Sequence, residues 1–368
     1  MKSKTILILA LATLLGCGSN STSTVTTNAL AARAYNGSAS VGDFLNITLD
    51  PAAHTITYTN KTNGDAGTVP YTVNADGTYT LNDPTGNLVA AYEVPNYALL
   101  IQAAKTGPTH NTPALITAVQ SGTISLSTWA NHKYNYIQFR TSSGGMEIGS
   151  ANLDASGNIT ISHYWPYGAF ANDPNGPFGG STFPSTGITS DPSGTFLKMT
   201  PPGETSADYI FGTPNGVFAV DNSNGSILGL QKAATKNFDP TWAGTYKAIY
   251  YQKTGASTGL GNVETGTGGL GKATITITAA GGVTVQDGNS ATILTATLTP
   301  VADTPYLYDG TNAKLADPCF GLFTFRVVNG ANQQDVFVTF VDRAMLFSSF
   351  TSHGPSTPYD YLYGTALK

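Results

Sequence analysis

The chain has few charged side chains and no concentration of positive charge. Charged residues make up 11% of its 368 residues, whereas soluble globular proteins average about 25%. The formal net charge is −5, and the 17 lysines and arginines form no cluster along the sequence. The sequence therefore lacks the electrostatic footprint of a nucleic-acid-binding protein and of a protein held on anionic lipid by charge.

Residues that commonly perform catalysis are also scarce. The chain has four glutamates and five histidines, and no two histidines have the close spacing of a zinc site. The common hydrolase and nucleotide-binding motifs are absent. Most aspartates stand in turn sequences such as Asp76-Gly77 and Asp83-Pro84, where a carboxylate bonds its own backbone. We predict no catalytic residue, no metal and no cofactor, and we keep a hydrolase with a site invisible in the sequence as a third hypothesis.

Cysteine occurs only twice, at Cys17 and Cys319. Cys319 lies among the turn residues Asp317-Pro318 and Phe320, with no histidine nearby in the sequence to activate it. We therefore predict that Cys319 is a small buried hydrophobic residue. Because Cys17 is assigned to another role below, no internal disulfide is expected.

The first residues have the organisation of an export signal. Lys2 and Lys4 give a basic start, Thr5 to Leu15 forms an apolar run, and Gly16 precedes Cys17. The apolar run is too short to cross about 30 Å of hydrocarbon. The segment Leu14-Leu15-Gly16-Cys17 resembles the lipobox of bacterial lipoproteins. That resemblance implies acylation of Cys17, the lipid bilayer as a partner, and a cell-envelope location at the outer membrane, facing the periplasm or the cell surface.

Behind the leader, the sequence predicts an all-β protein. Short segments such as Phe44 to Leu49 alternate apolar and polar residues, as strands with one buried face do. Turn sequences such as Asn74 to Gly77 separate them. Asp221 to Ser226 has oxygen-bearing side chains at alternate positions, but it lacks the closing glutamate of a calcium loop and predicts a polar hairpin turn.

An internal repeat sets the predicted domain plan. The stretches Leu88 to Gln102, Asp208 to Asp221 and Asp335 to Phe350 each read as two apolar strands around a tight turn, followed by a third strand. Trp129-Ala130 and Trp242-Ala243 follow the first two copies. We predict three tandem antiparallel β-meander units of seven or eight strands each, built as small barrels or sandwiches. The boundaries are a signal peptide at 1–16, a lipidated N-terminus and flexible tether at 17–28, and β-units at 29–121, 122–236 and 237–368.

One unit carries a weak family resemblance. The segment Trp242-Ala243-Gly244-Thr245-Tyr246 resembles the Gly-x-Trp start of lipocalin-like barrels, with the order of glycine and tryptophan inverted. The resemblance implies a barrel with a hydrophobic ligand inside.

The segment Tyr164 to Phe183 is the strongest candidate binding surface in the sequence. It places six aromatic residues among glycines and prolines and reads as a long loop. Such aromatics stack on sugars or anchor a protein partner, and neighbouring polar side chains supply hydrogen bonds; alternatively, the aromatics complete the core of an open barrel end. The candidate ligand-binding residues are Tyr164, Trp165, Tyr167, Phe170, Asp173 and Asn175.

Together these features favour a binding protein over an enzyme. The first hypothesis is a membrane-anchored envelope lipoprotein that acts in binding, adhesion or scaffolding through loops of its β-units, with a glycan or protein as partner. The second is a lipocalin-like carrier of a small hydrophobic ligand. A solid interior in every unit would exclude the carrier, and a cavity would favour it.

Overall fold

The computed structural model describes residues 31–106, 113–140, 145–167, 181–201, 203–223, 225–253, 269–301, 320–329, 332–351 and 360–368. Three antiparallel sheets follow one another along the chain, and the helical elements in these ranges are short 3-10 turns. The predicted all-β class with tandem antiparallel meanders is therefore confirmed. The leader, the tether and Cys319 lie outside the described residues.

The first sheet is a closed barrel of eight strands in sequence order. Apolar and polar residues alternate along its strands, and the apolar set fills the interior. Its strands are β1 (Arg33–Ala39), β2 (Asp43–Asp50), β3 (Thr55–Asn60), β4 (Ala66–Val73), β5 (Tyr79–Leu81), β6 (Leu88–Val94), β7 (Ala98–Ala103) and β8 (Ala114–Gln120).

The second sheet has nine strands, in the order β12-β11-β10-β9-β17-β16-β15-β14-β13. The strands are β9 (Lys133–Arg140), β10 (Gly145–Leu153), β11 (Ile159–Tyr167), β12 (Ser181–Phe183), β13 (Ile188–Ser190), β14 (Leu197–Met199), β15 (Asp208–Thr213), β16 (Val217–Asn222) and β17 (Gly225–Gln231). A 3-10 turn at Leu126–Thr128 precedes β9 and leads directly to the buried ring of Trp129.

The third sheet repeats this arrangement in the order β21-β20-β19-β18-β26-β25-β24-β23-β22. Its strands are β18 (Gly244–Lys253), β19 (Gly269–Ile277), β20 (Gly282–Gln286), β21 (Thr292–Thr297), β22 (Thr299–Pro300), β23 (Leu322–Asn329), β24 (Asn332–Val341), β25 (Ala344–Thr351) and β26 (Asp360–Leu367). A 3-10 turn at Pro240–Trp242 precedes β18, with the Asp239 side chain capping it. The prediction of seven or eight strands per unit is wrong for the second and third sheets, which have nine strands each.

In each sheet, the strand that comes first in the chain pairs with the strand that comes last in the chain. β1 pairs with β8, β9 with β17, and β18 with β26. Only the first sheet closes completely, because β4 also pairs with β5. At the equivalent place, the described strands β12 and β13 end the second sheet, and β21 and β22 end the third. Each of these two sheets is thus a barrel with one open seam.

The hairpin turns follow the predicted chemistry. Gly77, Gly157 and Gly281 each have φ of +80°, a conformation that glycine adopts without steric cost. In the first two turns an aspartate accepts a backbone hydrogen bond, Asp76 from Thr78 N at 3.0 Å and Asp154 from Ser156 N at 2.8 Å. In the third turn the Thr278 hydroxyl accepts from Gly282 N at 2.9 Å. These turns fix the register of the flanking strands.

The sheets pack on one another through buried aromatic side chains. Phe44 of the first sheet stacks on Tyr209 of the second, with ring centroids 4.5 Å apart. Phe139 of the second sheet stacks on Tyr363 of the third at 4.4 Å. Residues of all three sheets join one apolar cluster, so the outer faces of these strands are buried as well as their inner faces.

Candidate functional site

The structure describes the predicted aromatic surface only in part. Phe170, Asp173 and Asn175, like Cys17, lie outside the described residues. The backbone of Tyr164, Trp165 and Tyr167 is strand, not loop. These residues continue β11, where Trp165 lies opposite Ile148 and Tyr167 opposite Met146. The prediction of a single loop from 164 to 183 is therefore wrong at its start, and also at its end, where residues 181–183 form β12.

The third sheet encloses an apolar cavity of about 50 Å³, and its accessible surface is entirely apolar. Most of the lining side chains come from β18–β21 and β23–β26, where residues at alternate positions point inward, and Leu298 lies between β21 and β22. The lining consists of Tyr250, Ala273, Ile275, Ile277, Val283, Val285, Ile293, Leu294, Leu298, Phe325, Val336, Val338, Met345, Phe347 and Leu362.

Two glycines in the wall keep this space open. A Cβ atom at Gly271 would lie 2.0 Å from the Tyr250 ring, and one at Gly364 would lie 2.3 Å from the Phe347 ring. Both rings therefore lie against the wall, over backbone that has no side chain, instead of crossing the interior. Larger residues at the two glycines would push these rings into the cavity.

The seam between β21 and β22 bounds the same interior. Ile293 and Leu294 of β21 line the cavity and are only partly buried. An apolar space of ~150 Å³ stays dry and takes up benzene, so a cavity of about 50 Å³ holds only part of a comparable ligand. A longer ligand would extend into the seam.

The closed barrel has a filled interior by contrast. A Cβ atom at Gly37, in the middle of β1, would lie 3.0 Å from Ala118 and 3.2 Å from Ile47 and Ile116, so the side chains around it leave no room for one more methyl group. The carrier hypothesis therefore concerns the third sheet and not the first.

A buried polar network occupies the same barrel. The carboxylate of Glu93 accepts hydrogen bonds from Nε and Nη2 of Arg33, both at 2.7 Å, and from the hydroxyls of Tyr35 at 2.5 Å and Tyr79 at 3.0 Å. Burial and the carboxylate raise the pKa of both tyrosines. Sequence reasoning missed this network because Arg33 and Glu93 lie 60 residues apart.

A second buried polar cluster lies between the first and second sheets. The hydroxyl of Ser38 on β1 donates to the Asp221 carboxylate on β16 and lies 2.5 Å from the Ser226 hydroxyl on β17. Burial raises the pKa of Asp221 well above its usual range, with Asp43 and Asp208 adding negative charge nearby. Asp221 thus belongs to an interface between sheets and not to an exposed turn.

A mixed-charge cleft of about 220 Å³ lies between the first and third sheets. Lys247 and Lys272 face Asp76 and Asp287 across it, and Lys247 Nζ lies 4.0 Å from Asp76 Oδ2. The two lysines and two aspartates balance, so the cleft has no net charge with which to select an ion.

Among the described residues, no three His, Cys, Asp or Glu side chains lie close enough together to hold a metal ion. No helix within these residues is long and apolar enough to cross a membrane.

The fold and the cavity define an all-β protein of three meander sheets, the last of which encloses an apolar space. No protein-family model matches the chain, and no curated protein matches it. Two solved forms of the vaccine antigen transferrin-binding protein B from Haemophilus parasuis Hp5 are similar to it, each with a TM-score of 0.31 and 9% sequence identity. The match with the double mutant covers 92% of this chain and 76% of the mutant chain. The match with the single mutant covers 88% of this chain and 66% of the mutant chain. A similarity this low assigns neither a family nor a function to the chain.

Proposed function

We propose that this chain is a cell-envelope binding protein that holds a small hydrophobic ligand inside its third sheet. The cavity with an entirely apolar surface is the observation that supports this proposal. Transfer of hydrocarbon from water into such a space is favourable, at about 25 cal/mol for each Å² removed from water. The seam between β21 and β22 offers a route to it that needs no unfolding.

The location of the perturbed titratable groups favours binding over catalysis. Active sites collect groups with shifted pKa values in a cleft. In the described part of this chain Asp221 is buried between sheets and Tyr35 inside the closed barrel, and neither these two nor Tyr246, whose pKa burial also raises, lines the cavity. The cavity is lined by hydrocarbon and suits a ligand that is held, not transformed.

Binding of a partner through the aromatic segment Tyr164 to Phe183 stays a separate prediction. Binding of a glycan or protein through Tyr164, Trp165 and Tyr167 depends on residues 168–180, which lie outside the described ranges. The proposal of a hydrophobic ligand does not require that surface.

Filling the cavity is expected to abolish uptake of an apolar probe. Ala273→Leu adds three carbon atoms to the wall of a space of about 50 Å³, so we expect the affinity for N-phenylnaphthylamine to fall at least about tenfold. Fluorescence titration of the purified protein measures this. Thr276→Leu, on the outer face of the same strand β19, is the matched control and should bind as the wild type does. Equal affinity of Ala273→Leu and wild type would place the probe elsewhere.

Removal of the acylation site is expected to release the protein from the membrane. Each buried methylene of an acyl chain contributes about 0.8 kcal/mol, and several chains together make an anchor effectively permanent. Cell fractionation of Cys17→Ser should therefore recover the protein in the soluble fraction, while Cys319→Ser stays in the membrane pellet. Membrane association of Cys17→Ser in high salt and in the absence of detergent would contradict the proposed anchor.

A further inference from the structure

Ser349 on β25 lies between two residues that line the apolar cavity of the third sheet. Val336 on β24 lies opposite Ser349 on β25, and Ser349 lies opposite Leu362 on β26. Val336 and Leu362 both line the cavity. Because residues directly opposite one another across antiparallel strands face the same side, Ser349 points to the interior between them.

The hydroxyl of Ser349 is buried and has no hydrogen-bond partner among the described residues. The residue has 0% of its surface exposed, and no described donor or acceptor lies within hydrogen-bond distance of its Oγ atom. Leaving such a group unsatisfied is unfavourable. A polar atom brought into the cavity by a ligand would satisfy it.

The surroundings indicate that this polar atom is uncharged. Gln252 of β18 lies directly opposite Leu362 of β26, which in turn lies opposite Ser349, and Gln252 is buried. The polar groups in this row of residues are therefore a hydroxyl and an amide. The accessible surface of the cavity is entirely apolar, and an ionised group there would lack a counter-charge among the lining residues.

We propose that the third sheet binds a neutral single-chain amphiphile, with its hydrocarbon in the cavity and its hydroxyl or carbonyl end on Ser349 Oγ. This inference rests on the proposed function, since it names the class of ligand that the cavity takes. The polar end fixes the orientation of the ligand, and the chain extends from the row of Ser349 towards Met345 and the seam.

The chain provides a matched pair of variants for the test. Ser348 and Ser349 are neighbours on β25, and both are fully buried. Neither hydroxyl has a hydrogen-bond partner in the described part of the chain. The two side chains face opposite sides of the sheet. Changing either to alanine removes the same atom, but only Ser349→Ala removes it from the side of the sheet that faces the cavity.

The experiment measures displacement of N-phenylnaphthylamine from the full chain by n-octanol, n-octane and octanoate. We expect Ser349→Ala to weaken octanol binding about threefold to tenfold and to leave octane binding unchanged, while Ser348→Ala changes neither. Melting temperatures of both variants confirm that they are folded.

If Ser349→Ala changes the binding of octane and of octanol to the same extent, the inference is overturned, but the proposed hydrophobic cavity stands. Tighter binding of octanoate than of octanol would also overturn it, because the polar end would then be charged. Failure of every compound to bind would instead refute the proposed function.

Discussion

Replacement of Glu93 by alanine is expected to lower the free energy of unfolding by about 3–5 kcal/mol. Glu93 holds the guanidinium of Arg33 through two hydrogen bonds of 2.7 Å inside the closed barrel. Loss of the carboxylate leaves that positive charge buried, and it removes the acceptor of the Tyr35 and Tyr79 hydroxyls. Urea unfolding followed by circular dichroism measures the change.

A double variant separates the buried charge from the loss of packing. Arg33→Met combined with Glu93→Leu removes both charges and keeps similar side-chain volume, and such replacements are often neutral or stabilising. We expect the double variant to recover most of the stability that Glu93→Ala loses. If the double variant were as unstable as Glu93→Ala, the loss would come from packing and not from an uncompensated charge.

Stability is expected to fall as the pH rises from about 5 to about 8. Burial raises the pKa of Asp208 to about 7 and that of Asp221 well above its usual range. The folded state therefore keeps protons that the unfolded state loses near pH 4, so each group destabilises the fold as the pH increases towards its folded pKa. The effect is about 1.4 kcal/mol for each group and pH unit.

The groups around these two carboxyls support this sign. Asp221 lies beside the neutral hydroxyls of Ser38 and Ser226, and the nearby carboxyl groups of Asp43 and Asp208 raise its pKa further. Burial raises the pKa of Asp208, with Glu204 adding to the effect, and its buried Oδ1 has no hydrogen-bond partner among the described residues. Among the groups that shift these two pKa values, no basic side chain compensates either carboxylate.

Unfolding of Asp221→Asn at the two pH values tests this expectation. The variant cannot ionise at this position, so the difference in its stability between about pH 5 and about pH 8 should be smaller than in the wild type. Asp239→Asn is the control, because the pKa of Asp239 is lowered by hydrogen bonds from Thr241 and this exposed carboxylate is ionised throughout the range. A wild-type protein that gains stability over this range would contradict the assigned burial of Asp221.

The local part of the fold could be predicted from the sequence. The hairpins around Gly77, Gly157 and Gly281 depend on neighbouring residues only, and alternation along each strand identified which residues share a face. The last three strands of each sheet, β6–β8, β15–β17 and β24–β26, coincide with the three similar stretches of sequence. These features required no knowledge of contacts between distant segments.

The features that depend on distant contacts could not be predicted. Asp221 stands in a sequence typical of a polar turn, and its burial depends on Ser38, which is 183 residues away. Ser349 looks like any strand serine, and its position between the cavity residues Val336 and Leu362 follows only from the register of β24, β25 and β26. Alternation also predicts one wet face for each strand, whereas packing between the sheets buries both faces of β9.

The pairing of first and last strands bears on how such a chain could have grown. Because β1 pairs with β8, β9 with β17, and β18 with β26, the chain enters and leaves every sheet on neighbouring strands. Segments whose ends lie close together can be inserted or removed without threading the rest of the chain. A duplicated gene segment could thus add a whole sheet by joining two adjacent strand ends. A sheet added in this way would have to form contacts with the sheet already present, such as that of Phe139 with Tyr363.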